Sequence, residues 1–349
     1  MTKLINIKNN KTWNEFIISS NFEFYSFLQS WEWWEVQKLS WKKVFRKAII
    51  NSKNEIIWVL QILLVNAKRW SYLFVPHWPL IIWDYFKVLN DIILDLKKLA
   101  KKHKCSFVRF NSTLKNNKIN KHNFKKLGFK NAPMHEHAED THLLELGESN
   151  ENIFNNIKKK DRYYINRAVK EWVEIKINNK QPQIDSLIEM HTNHAHRTNW
   201  KNNYSAFSKK FINNLYKIFG KNISTISASY NWKIESILMT IQFGKTCVYY
   251  IAASDIVSSK FSPNYLCQWE AIKNAKASGA LIYNFWWVSP DSNPKHPIAW
   301  VTKFKRKFNW YDYSLLHAQD LIISPKYYIN WVIETTRRLK RGYYYKKPE

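Results

Sequence analysis

The stretch Tyr265-Leu266-Cys267-Gln268-Trp269-Glu270-Ala271-Ile272-Lys273-Asn274-Ala275-Lys276-Ala277-Ser278-Gly279 decides how this chain is read. It continues through Tyr283-Asn284-Phe285-Trp286-Trp287-Val288 and His296-Pro297 to Phe304-Lys305-Arg306-Lys307-Phe308. Its first part is a proline-free run that predicts a helix over 264–278, with glycine just past its end, and the residues after it predict a strand over 281–285. Upstream, apolar-rich runs predict a hairpin through 224–242 and a strand at 247–253. Before these lie helices at 150–171, 183–198 and 205–219 and a strand at 173–177. The first half repeats the alternation: a helix near 27–39, strands near 43–51, 56–66 and 72–75, a helix at 85–103 and a strand at 106–111. Two similar α+β units imply an internal duplication. A basic tail, 335–347, reads as a helix that packs back on the first unit.

The chain has 18 Trp and only 6 Gly, and many of the tryptophans stand where the backbone asks for glycine. Asn231-Trp232 separates two apolar-rich runs, a place where a two-residue hairpin wants Asn-Gly because both central residues need positive φ. Trp172, in Lys170-Glu171-Trp172-Val173, holds the position that a left-handed helix cap gives to glycine. Lys68-Arg69-Trp70-Ser71, Pro76-His77-Trp78-Pro79, Asn199-Trp200-Lys201 and Phe308-Asn309-Trp310 are turn contexts of the same kind. These placements imply a source lineage that reads one stop-like codon as glycine, written here as tryptophan. A stacking surface for sugars or bases is the other account of so many tryptophans, but stacking does not select turn positions.

At 349 residues the chain is too long for one ordinary core and predicts two domains. No apolar run approaches the roughly 20 residues of a membrane span, and no signal-peptide pattern follows Met1-Thr2-Lys3. Cys105, Cys247 and Cys267 are odd in number and lack metal spacing, which predicts reduced thiols and a cytoplasmic setting. The formal charge of +28 favours a polyanionic partner such as RNA, nucleotide phosphate or anionic lipid, although few of the basic residues are Arg and a lysine-rich surface alone would add to it. His191, His194 and His196 share no single helix face with a carboxylate, so no metal site is expected.

With Trp287, Trp300 and Trp310 read as glycine, the deciding stretch closely resembles the FemABX family of peptidoglycan interpeptide-bridge aminoacyltransferases. The shared features are a helix with Trp-Glu-Ala-Ile and Ala-Lys, a strand ending in Phe-Trp-Gly-Val, a Pro-rich loop and Phe-Lys-x-x-Phe-Gly. Phe27-Leu28-Gln29-Ser30 with Trp33-Trp34-Glu35-Val36-Gln37-Lys38 is similar to the family's first helix. Pro76-His77-Trp78-Pro79 resembles its Pro-Arg-Gly-Pro turn, with His for Arg. Asp161-Arg162-Tyr163-Tyr164-Ile165-Asn166-Arg167-Ala168 resembles its basic helix, and residues 249–254 its Tyr-rich strand. The likeness runs over roughly 20–342. It implies two tandem acetyltransferase-like (GNAT-type) domains of α+β class, each a mixed sheet with flanking helices. The expected division is 1–147 with 317–349, and 148–316.

The resemblance further implies transfer of an amino acid from aminoacyl-tRNA to the stem-peptide amino group of a muropeptide precursor, lipid-linked or linked to uridine diphosphate. The partners are then aminoacyl-tRNA and the muropeptide, with peripheral contact at the inner membrane face open, and the protein is expected to be a monomer. Lys305, beside Phe304, is implied as the cation for the developing oxyanion, with Arg306 and Lys307 for phosphate; a Lys-Arg-Lys run is otherwise a solvated face. Arg197 falls where the family holds an acceptor phosphate, a task suited to a guanidinium. Gln37 or Lys38 occupies the position used for the acceptor diphosphate in some relatives, Gln37 being better aligned. Tyr249 lies on the strand lining the acceptor groove, and Asn111 replaces an acidic residue. No closely spaced glycines open a helix, even with Trp read as Gly, so coenzyme A is not expected. The long helical arm of some members is missing. Two other readings stay open: a transferase acting on another amine, and an inactive tRNA- or membrane-binding homologue.

Overall fold

The computed structural model describes residues 3–346 except 8, 21, 23, 41, 79–85, 179–182, 198–206 and 256–260, and leaves out the side chains of 3, 4, 86–88 and 194–197. Two compact units emerge: Met1–Thr141 with Trp287–Thr302 and Tyr313–Glu349, and His142–Trp286 with Lys303–Asp312. The expected division put 142–147 in the first unit and 287–302 and 313–316 in the second. Here Val288 bonds the backbone of Asp140, which ties the segment after the deciding strand to the first unit.

The first unit contains β1 (Lys3–Asn6), α1 (Asn10–Ser19), α2 (Trp31–Leu39), β2 (Lys43–Ile50), β3 (Ile56–Asn66), β4 (Ser71–Pro76), α3 (Phe86–Lys102), β5 (Phe107–Asn111), α4 (Lys118–Lys126) and β6 (Phe129–Asn131). A seven-stranded sheet runs β1-β2-β3-β4-β5-β14-β6, with β14 at Gln319–Ile322. Neighbours are antiparallel except β4 and β5, which are parallel and linked through α3.

The second sheet repeats the scheme. It is built from β7 (Asp140–Glu145), β8 (Glu174–Asn178), β9 (Ile223–Tyr230), β10 (Lys233–Phe243), β11 (Thr246–Ser254), β12 (Ile282–Trp287) and β13 (Tyr311–Ser314), in the order β13-β7-β12-β11-β10-β9-β8. Strands β8 to β11 are antiparallel, whereas β11 and β12 are parallel and linked through α9 (Pro263–Ala277). Helices α5 (Asn150–Asn156), α6 (Lys159–Lys170), α7 (Ile184–Arg197) and α8 (Lys209–Phe219) precede β9 or flank it in sequence. An antiparallel run followed by a helix and a parallel strand therefore occurs once in each sheet, the two mixed sheets with flanking helices that the duplication predicts.

The predicted helices differ from the observed ones in three places, the first being 27–39, where a 3-10 turn at Phe27–Gln29 and an extended Ser30 precede α2. The segment 150–171 is broken at Ile157-Lys158, both extended, giving α5 and α6. The tail helix starts earlier than expected, as α11 (Tyr327–Lys340), after α10 (Ala299–Lys305).

The turn tryptophans separate into groups. Trp172 adopts φ 59°, Trp232 φ 66° and Trp310 φ 134°, a region where bulky residues are outliers. After α6, the Trp172 amide bonds the Val169 carbonyl and the Val173 amide bonds that of Ala168, the paired bonds of a Schellman cap. Helices α9 and α11 end in the same pair of bonds with Gly279 and Gly342 at that position. Trp172 is 86% exposed and Trp232 is 92% exposed, so neither indole gains packing to offset its backbone. At the end of β12 it is Trp286, φ 61°, rather than Trp287, that turns left-handed. Trp34 behaves as a true tryptophan, buried in α2 with its indole N–H donating to the Leu28 carbonyl at 3.0 Å.

Candidate active site

The run Lys305-Arg306-Lys307 sits where α10 ends and a short 3-10 turn, Arg306–Phe308, follows, and its three cations meet three different surroundings in the second unit. Lys305 is buried and its ammonium lies 5.5 Å from the centre of the Tyr249 ring on β11. Burial pulls this amine down from 10.5 to about 7. Phe304 packs edge-on to Tyr265 at 5.3 Å and to Phe308 at 5.5 Å, which roots the segment in the core formed by β12 and α9. Tyr249 is half-buried, edge-on to Phe285 at 6.4 Å, and burial raises its hydroxyl well above the ordinary tyrosine value.

Arg306 and Lys307 are held by protein groups. Arg306 donates from Nε at 2.9 Å and Nη2 at 2.6 Å to Asp312, and Asp312 also takes His142 Nδ1 at 2.8 Å. Lys307 bonds the Tyr265 hydroxyl, lies 3.6 Å from Asp161 on α6 and faces the ring of Tyr164 at 5.8 Å. In this structure Arg306 and Lys307 pair within the protein and brace the segment that presents Lys305. Asp161 and Tyr164, quoted from the basic-helix motif, supply that clamp. Arg197 ends α7, and its side chain lies outside the described residues.

In the first unit, the diphosphate candidates on α2 are also engaged. Lys38 pairs with Glu35 at 3.0 Å, and Glu35 with the buried Arg46 at 2.7 Å. Gln37 is buried and its side-chain oxygen accepts from Lys42 at 2.9 Å. Burial raises the Glu35 carboxyl, but Arg46 and Lys38 outweigh it and hold the group below its usual value.

Asn111, at the end of β5, has its amide nitrogen 3.5 Å from Glu139. The carboxylate missing at 111 is thus present next door, on a segment that sequence reasoning passed over, His135-Glu136-His137-Ala138-Glu139-Asp140. Glu139 Oε2 takes His317 Nδ1 at 2.7 Å and lies 3.2 Å from His135 Nδ1, while Oε1 accepts the Ala318 amide at 2.7 Å. Burial would raise this carboxyl, yet the two imidazoles hold it well below the carboxylate range, and Glu139 in turn raises His135 against its own burial. Burial pushes Asp140 up to about 6 and His137 down to about 3. Among the described residues, His135, Glu139 and His317 also form a donor set that could hold a metal, with their ligand atoms within 4.8 Å of one another; here each donor is taken up by another. The signal in the sequence was the density of His and acidic residues in 135–140.

A sequence profile of the FemAB family matches residues 9–236 and 227–332. No curated protein sequence matches the chain. Among solved structures, FemX superposes with a TM-score of 0.79 at 15% identity, covering 95% of this chain and 100% of that one. A tandem GNAT protein from the clavulanic acid biosynthesis pathway gives 0.58 at 8% identity, covering 93% of this chain and 99% of that one. The C-terminal domain of a putative lysylphosphatidylglycerol synthetase from Agrobacterium fabrum gives 0.56 at 11% identity, covering 94% of this chain and 96% of that one. The fold is thus two GNAT-like domains, and with the family profile spanning nearly the whole length, the chain belongs to the FemAB family.

Proposed function

We propose that the protein is an aminoacyltransferase that moves an amino acid from aminoacyl-tRNA to the stem-peptide amino group of a peptidoglycan precursor, lipid-linked or linked to uridine diphosphate. The observation that carries the reading is the buried Lys305 ammonium, clamped between Phe304 and the Arg306–Asp312 and Lys307–Asp161 pairs and set over Tyr249. A neutral acceptor amine attacks the ester carbonyl carbon, the C–N bond forms, and the carbonyl oxygen gains negative charge. A fixed cation beside that oxygen stabilises the transition state more than the ester ground state. The ribose oxygen then leaves, and the proton lost by the amine balances the one gained by the leaving hydroxyl. Nothing in this scheme calls on coenzyme A or a metal. The net charge of +28 suits a tRNA donor, and a cytoplasmic protein in peripheral contact with the membrane suits a lipid-linked acceptor.

The test is transfer from charged tRNA to a muropeptide, compared between the protein and Lys305→Met. Loss of about 100-fold or more in rate with tRNA binding retained is the expected result. Full tRNA binding with no transfer by the parent protein would favour an inactive homologue. Transfer to an added amine other than the muropeptide would favour the broader transferase.

A further inference from the structure

Helix α11 turns the usual arrangement of a surface helix inside out. Such a helix normally buries its apolar stripe and shows charge to water. Here the inward side carries Tyr327, Asn330 and Glu334. The Tyr327 hydroxyl lies 3.1 Å from Asp320, and Glu334 receives the buried Arg109 guanidinium at 2.8 Å. The outward side carries Tyr328, Ile329, Trp331, Val332 and Leu339, all exposed, with Ile329 at 65% and Leu339 at 66%. Tyr328, Val332 and Leu339 follow one stripe of the helix, with Ile329 and Trp331 to either side. Four of these five do not depend on how tryptophan codons are read.

The exposed charges along α11 are of one sign. Lys326, Arg337 and Lys340 are exposed along the helix, and the Lys130 ammonium sits 5.4 Å from the Tyr328 ring. The helix's acidic residue, Glu334, is turned inward to Arg109. A second copy of a chain with net charge +28 would bring like charges together across this face, whereas a bilayer with anionic headgroups matches both parts of it. Apolar side chains enter the acyl boundary, and Lys and Arg reach the headgroups.

We infer that the Tyr328–Leu339 face of α11 rests on an anionic lipid bilayer. This rests on the proposed function for one consequence, that a lipid-linked acceptor is met at the same surface. The experiment is flotation of the full chain with phosphatidylcholine vesicles and with mixed phosphatidylcholine–phosphatidylglycerol vesicles, for the parent and for the double variant Ile329→Asp, Leu339→Asp. Both positions are exposed, so the variant keeps the parent's circular dichroism. The expected result is binding to the mixed vesicles only, weakened about tenfold or more in the variant and also weakened in Lys326→Glu, Lys340→Glu. No binding to the mixed vesicles, or binding that the aspartates leave unchanged, overturns the inference. So does a lipid-free dimer that the aspartates disperse. Transfer to nucleotide-linked and lipid-linked muropeptides is read separately: its absence with both, vesicle binding intact, counts against the proposed function alone.

Discussion

A tryptophan in the left-handed region carries a steric cost of about 1–3 kcal/mol, and Trp172, Trp232 and Trp310 all bear it. Gly279 and Gly342 hold the place of Trp172 in the same cap after other helices, and the positive φ at 232 and 310 is likewise one that glycine adopts without strain. Peptides of the protein from its native source should accordingly have glycine masses at 172, 232 and 310 and a tryptophan mass at 34; tryptophan at all four would contradict this. In recombinant protein, changing the three left-handed tryptophans to glycine should raise unfolding stability by roughly 3 kcal/mol or more. Trp34→Gly should lower it by about 3–5 kcal/mol, since a buried, hydrogen-bonded indole is removed from a helix. Lys305 makes a second residue-level prediction. Its amine is lowered from 10.5 to about 7, so between those values the unfolded chain binds the extra proton and stability rises with pH. Lys305→Met should therefore stabilise most below pH 7, by up to about 5 kcal/mol, with the gain shrinking toward pH 10.5; a gain that grows with pH would refute this. The rate of transfer should fall as pH rises through about 7, where the ammonium is lost.

At the scale of elements, β14 shows why part of the fold escaped sequence reading. Gln319-Asp320-Leu321-Ile322 pairs with β5 and β6 inside the first sheet, yet its polar half hides the apolar pattern of a strand. Asp320 is polar because it serves Arg109, which donates to it through Nε and Nη2 at 2.8 Å each. That guanidinium also holds Glu334 of α11, so one buried cation ties strand to helix. Removing one partner leaves charge uncompensated in the interior. Asp320→Asn should cost about 3–5 kcal/mol in urea unfolding, and Glu334→Gln less, because Glu334 is nearer solvent; equal and negligible losses would show that the cluster is not holding α11. The same masking hid 135–140, which reads as a solvated polar loop but buries Glu139 and Asp140, with His135 and His317 pairing to the Glu139 carboxylate. The break between α5 and α6 has no glycine or proline to announce it, whereas the β9–β10 hairpin was legible because its turn sits at Asn231-Trp232 with apolar runs on both sides.

At the scale of the whole molecule, the duplicated scheme of antiparallel strands, helix and parallel strand was visible as alternation, and the site was visible only through motif. The sequence pointed to Lys305 and Phe304 but could not tell that Arg306 and Lys307 are spent on Asp312 and Asp161, because which cation is buried depends on packing that adjacent letters do not record. The account stands or falls on whether such a chain moves an amino acid. The most direct measurement is the mass of a nucleotide-linked and of a lipid-linked muropeptide after incubation with charged tRNA and the protein carrying glycine at 172, 232 and 310. The expected result is a gain of aminoacyl mass on the stem-peptide amine, lost with Lys305→Met. Unchanged mass of both acceptors, with the tRNA ester merely retained or hydrolysed, would contradict it.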